Sequence, residues 1–125
     1  MGLRVAALVL VPLLLTLGPT AAADDAGAKL FMNHCGTCHT IDPAAARRQG
    51  PNLHGVLQRK AGTLAGYKYS AGLKAAGWQW TPEQLDLWLT DPKALVPDTL
   101  MSIYKQKDAE KRKLIIDYLA ANSSN

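Results

Sequence analysis

The sequence is short of the residues that several common chemistries require. It has two cysteines in 125 residues, Cys35 and Cys38, and no second cysteine pair. A structural zinc site needs four ligands, usually from two such pairs, so zinc here would have to recruit His34 and His54. No stretch alternates apolar and polar residues as a strand does, and the β-branched residues after position 23 are scattered. There is accordingly no basis for the βαβ unit that accompanies a redox dithiol. Lys and Arg outnumber Asp and Glu by only 14 to 10, with no long basic run, which does not indicate nucleic-acid binding. Beyond the N-terminal stretch, no apolar run approaches the roughly 20 residues that a membrane-spanning helix needs.

That N-terminal stretch has its own order. Arg4 precedes an apolar run from Val5 to Leu17, then Gly18, Pro19 and the small residues Ala21, Ala22 and Ala23. A positive start, an apolar middle and a small-residue cleavage site make a secretory signal peptide. The run is too short for a membrane anchor, and Pro12 interrupts it. The expected division is residues 1–23 as signal and residues 24–125 as one exported domain, with periplasmic location. Losing Arg4 would take one from the 14 basic residues and leave a net charge of +3.

The remainder reads as short helices joined by loops marked with Gly and Pro. Asp25 would cap a first helix on which Leu30, Phe31 and His34 share a face. Thr81, Pro82 and Gln84 have capping-box spacing for a helix ending near Asp91, before Pro92. Asp108 would cap a last helix with Ile115, Tyr118 and Leu119 as its apolar stripe. A shorter helix fits residues 70–77, stopped by Gly77. Residues 50–55 and 91–101 read as extended or turning, and the closing Asn-Ser-Ser-Asn as a frayed polar tail. The fold class is all-α, with loops long enough to need something to wrap around.

Cys35, Cys38 and His39 form a Cys-x-x-Cys-His sequence. A disulfide or a redox dithiol is the simplest alternative in an exported chain. The motif is also the attachment sequence of a c-type haem. Residues three apart on a helical turn face the same way, so both sulfurs could reach one porphyrin edge, with His39 beneath the ring. A covalent haem would also supply the apolar body that the loops lack. His39 would then need an acceptor for its second ring nitrogen, and the carbonyl of Pro51 competes for that role with a plain turn at Gly50-Pro51. For the opposite face of an iron, Met101 and His54 are rivals, while Met32 is tied to the attachment side and is expected to pack there.

The ordered set "GAKLF", "CGTCHT", "GPNLHG", "RKAG", "WTPEQL", "DPK", "VPDTLM" and "LIIDYL" resembles the class I cytochromes c, of the mitochondrial and bacterial c2 type. The resemblance covers residues 26–121 without a gap and implies a small cytochrome c fold around one haem c with its iron. It makes Cys35 and Cys38 the thioether anchors, His39 and Met101 the iron ligands and Pro51 the acceptor for His39. Arg59, Tyr69, Trp80 and Thr99 match positions around the haem propionates. Gly27 and Phe31 match a crossing of the first helix over the last, and His54 falls on a position that does not bind iron. The implied function is electron transfer by a periplasmic monomer, not an enzyme. Its partners would be redox proteins: a membrane electron-transfer complex, a terminal oxidase, a reductase or a dehydrogenase. They would dock through Arg48, Lys93, Lys105 and Lys107.

Two departures from the family pattern bear on the iron. Trp88 stands where a tyrosine hydroxyl commonly bonds the axial sulfur, and Leu73 where an asparagine is common. Indole has one donor and leucine none, so a reduced polar web behind Met101 is expected. Easy loss of Met101 would favour the alternative of a haem enzyme or ligand sensor.

Overall fold

The computed structural model describes residues 1–2 and 21–123. The apolar run from Val5 to Leu17, read above as the middle of a signal peptide, lies outside the described residues. Among the described residues five α-helices follow in order: α1 Ala21–His34, α2 Ala71–Ala75, α3 Pro82–Thr90, α4 Pro92–Leu95 and α5 Ala109–Ala121. A 3-10 turn occupies Val56–Gln58. The described residues contain no strand, only an isolated antiparallel bridge between Lys60 and Gln79. The chain is all-α.

Local chemistry sets most of the boundaries. Thr81 accepts a hydrogen bond from Gln84 N at the start of α3, and Asp108 accepts from Glu110 N and Lys111 N at the start of α5. Ser70 does the same for Leu73 N in α2, beyond which Gly77 takes a positive φ of 73°. Each side chain satisfies an N–H that a helix start leaves unpaired.

Four expectations need correcting. Ala21 and Asp24 are already helical, so Asp25 lies inside α1 and does not cap it. Residues 92–95 are helical, because Asp91 both ends α3 and caps α4 by accepting from Ala94 N, with Pro92 in the first turn. Met32 is 60 % exposed, since it lies on the outward face of α1. The tail is tied down as far as Ser123, which is buried; its Oγ donates to Leu119 O at 2.8 Å and accepts from Leu57 N at 3.3 Å.

The core forms where α1 crosses α5. Phe31 and Ile115 are almost fully buried, and the Phe31 and Tyr118 rings lie 5.4 Å apart. Such burial contributes about 1.5–3 kcal/mol per large side chain. Gly27 makes the crossing close: a Cβ there would meet Leu114 O at 2.7 Å and Tyr118 Cβ at 2.9 Å. A second cluster (Leu85, Trp88 and Leu89 of α3 with Trp80 and Val96) continues this core towards Met101. No helix among the described residues is long and apolar enough to cross a membrane.

Candidate cofactor site

The end of α1 turns directly into the cysteine motif. Cys35 N donates to Phe31 O at 2.7 Å, and Cys38 N and His39 N both donate to Cys35 O, at 3.0 and 2.8 Å. This turn fixes the three motif residues relative to one another. The two thiols are not joined. Burial, with Cys38 adding to it, pushes the Cys35 thiol up to about 12. A redox dithiol works through a stabilised thiolate, the opposite condition. Among the described residues no group of three or more His, Cys, Asp and Glu could hold a metal ion, which leaves zinc without a site there.

His39 is oriented from the following loop. Its Nδ1 lies 2.8 Å from Pro51 O. A carbonyl only accepts, so Nδ1 carries the proton and Nε2 keeps a free lone pair. Burial lowers the His39 pKa, opposed by the Pro51 bond, which favours the neutral ring that a metal needs. Gly50 allows the approach, since its N–H donates to Cys38 O at 2.6 Å and a Cβ there would meet His39 Nδ1 at the same distance.

Arg59, Tyr69 and Trp80 form a second group. Trp80 N donates to Arg59 O at 3.0 Å and Ala61 N to Trp78 O at 2.9 Å, which joins the two segments. The Arg59 guanidinium donates to Asn52 O and His54 O, at 2.9 and 3.0 Å. Burial lowers the Arg59 pKa, and Tyr69 nearby opposes the shift. Burial likewise raises the Tyr69 hydroxyl. A cation and aromatic donors in a half-buried setting suit carboxylates that must leave bulk water. Thr99 is placed with Met101 instead: it is buried, and its Oγ1 accepts from Met101 N at 3.2 Å. Its own proton remains available to a further acceptor.

Met101 is half-buried at the edge of the second core cluster. The Trp88 indole N–H donates to its Sδ at 3.3 Å. This corrects the Trp88 half of the expected reduction in the web behind the sulfur, while Leu73 still offers no polar group. Trp80 packs against Trp88 edge-on, with centroids 5.4 Å apart at 71°, and thereby fixes the indole. A thioether sulfur has two lone pairs, so accepting from Trp88 leaves one for a metal. His54 is half-buried and its Nδ1 has no partner among the described residues. The basic residues divide. Arg48 donates to the Gly36 carbonyl, and Lys105 pairs with Asp91 at 2.8 Å. The Lys105 hydrogen bond, its largest influence, holds the Asp91 carboxyl below the usual range. Lys93 and Lys107 are exposed and in no ion pair among the described residues.

Two free thiols on one turn, a neutral imidazole with a free Nε2, a thioether and a basic-aromatic cluster fit a large apolar metal-bearing group with acidic edges. Comparison with known proteins agrees. The family model described as Cytochrome c matches residues 25–123.

The chain belongs to the cytochrome c family.

It is 40 % identical over 99 residues to a cytochrome c of Ginkgo biloba, covering 79 % of this chain and 88 % of that one. To the cytochrome c2 of Blastochloris viridis it is 36 % identical over 104 residues, 83 % of this chain and 82 % of the relative. It is 44 % identical over 94 residues to the cytochrome c-type cyt cy of Rhodobacter capsulatus, 75 % of this chain but 46 % of that longer protein. As a cytochrome c it carries covalent haem c with iron, and its general role is electron transfer. The sequence alone pointed to the motif and to Pro51, but not to Gly50 as the space beside His39, nor to Trp88 as a donor.

Proposed function

We propose that the protein is a periplasmic one-electron carrier in which Cys35 and Cys38 anchor the haem, His39 and Met101 hold its iron, and residues 1–23 are removed on export. The observation that carries this reading is the preparation of both ligand atoms. His39 is held by Pro51 with Nε2 free, and the Met101 sulfur is held by Trp88 with a lone pair free. Haem c, when bound, supplies the ferric–ferrous change. The chain's part would be to keep His39 Nε2 and the Met101 sulfur in place in either state, so that little rearranges on electron transfer. Arg59, Tyr69, Trp80 and the Thr99 hydroxyl would receive the propionates. With His39 and Met101 both holding the iron, no position would be left for a substrate, and the protein would serve as a carrier rather than an enzyme.

The test is a visible and near-infrared spectrum of the purified protein in both oxidation states, with intact-mass analysis. A low-spin haem that survives denaturation, with a thioether–iron charge-transfer band in the ferric form and a chain beginning at Asp24, is the expected result. A high-spin ferric spectrum without that band would overturn His/Met ligation.

Docking to redox partners should rely chiefly on Lys93 and Lys107, because Arg48 and Lys105 already have local partners. Electron transfer to an acidic partner should therefore slow as salt rises. Replacing Lys93 and Lys107 with Glu should slow it several-fold at low salt, whereas Lys105→Glu should do less. A stopped-flow rate indifferent to all three would instead point to the exposed Leu100, 66 % accessible, as the contact.

A further inference from the structure

The segment carrying Met101 is tied to α2 by one carboxylate. Within the segment, Thr99 N donates to Val96 O at 3.0 Å and Met101 N to Thr99 Oγ1 at 3.2 Å, so residues 96–101 form a hydrogen-bonded unit. Asp98 projects from this unit to α2, where its Oδ2 accepts from Gly72 N at 2.9 Å. Position 72 has no room for a side chain. A Cβ there would collide with the Asp98 carboxylate and lie 3.0 Å from Val96 Cγ1. Two elements 26 residues apart are thus brought together at a site fitted on both sides. Nor is α2 a free flap: Ser70 caps it, and its Leu73 is buried in the core.

We propose that Asp98 is a positioning residue that latches the Met101 segment to α2 and so sets how readily a competing ligand displaces Met101. The inference rests on Met101 as the iron ligand. A charged acceptor on a backbone N–H is stronger than a neutral one, and this bond adds a tie to α2 to a unit whose other holds are Val96 N on Pro92 O, the burial of Val96 and Thr99, and Trp88 on the Met101 sulfur. An outside ligand binds only the fraction of molecules in which the sulfur has left, so loosening the latch raises its apparent affinity in proportion.

The experiment uses the full haem-loaded protein. Imidazole is titrated into the ferric form while the thioether–iron band is followed, and exchange of the Gly72 amide is measured by NMR. Asp98→Ala should tighten apparent imidazole binding about fivefold, the effect of losing a typical capping side chain, and should speed exchange at Gly72. Asp98→Asn, which keeps an oxygen acceptor, should fall between. Gly72→Ala, which displaces the carboxylate while leaving it in the chain, should reproduce Asp98→Ala, and the double variant should add little to either. Unchanged imidazole affinity in Asp98→Ala and Gly72→Ala, with the band present, would overturn the latch alone. Absence of the band in the unmutated protein would overturn the ligand assignment, and the latch with it.

Discussion

Replacing Met101 with alanine should abolish the thioether–iron band and lower the reduction potential by a few tenths of a volt, while the haem stays covalently attached. The anchors and the proposed ligand come from separate parts of the chain. Cys35, Cys38 and His39 sit on one backbone turn at the end of α1, and Pro51 orients His39 from the adjoining loop. Among the described residues none of these is hydrogen-bonded to residue 101, so attachment should persist. The sulfur is different, because a soft thioether favours the ferrous state and the His/Met pairing raises the potential. Water in its place favours the ferric state, and axial ligands command a span of about 0.8 V. The open position should also admit small ligands and give some peroxide turnover that the unmutated protein lacks. His54→Ala is the paired control, because its half-buried ring was the rival ligand. It should leave band and potential in place. If Met101→Ala changes neither while His54→Ala shifts both, the iron is held by two histidines.

What could be read from the sequence follows the range of the interaction concerned. Thr81 and Asp108 were legible as caps because a capping side chain meets a backbone N–H two or three residues on. The cysteine motif was legible for the same reason: its geometry is one turn of backbone. α4 was missed although Asp91-Pro92 repeats the Thr81-Pro82 signal, because its four residues show no periodicity. The fixed tail was out of reach, since Ser123 is held by Leu57, 66 residues away. The Asp98–Gly72 contact is likewise long-range. A glycine in one short helix and an exposed acid in a distant loop say nothing of each other until the fold brings them together.

Trp88 shows how such a gap misleads, and its removal is the second large effect. Sequence gives the donor inventory of a side chain but not where the donor points. An indole in place of a phenol therefore read as a loss. In the structure Trp80 meets Trp88 edge-on, Leu85 and Leu89 share its core cluster, and the one indole N–H lies 3.3 Å from the Met101 sulfur. The donor is kept in another chemical form, and Leu73, 9 % exposed, belongs to the same buried core. The consequence for the iron has a definite sign. A proton donor on the sulfur draws electron density from it and opposes positive charge on the metal, so it favours the ferrous form. Trp88→Phe, which removes the donor and keeps an aromatic ring, should lower the potential. A neutral hydrogen bond contributes about 0.5–1.5 kcal/mol, and tenfold in a one-electron equilibrium is about 59 mV, so the fall should be about 20–65 mV. Voltammetry reads this separately from stability, which will also fall because phenylalanine leaves part of the indole volume empty. Trp88→Phe at an unchanged or higher potential, with the thioether band intact, would mean that the contact packs the sulfur without tuning it.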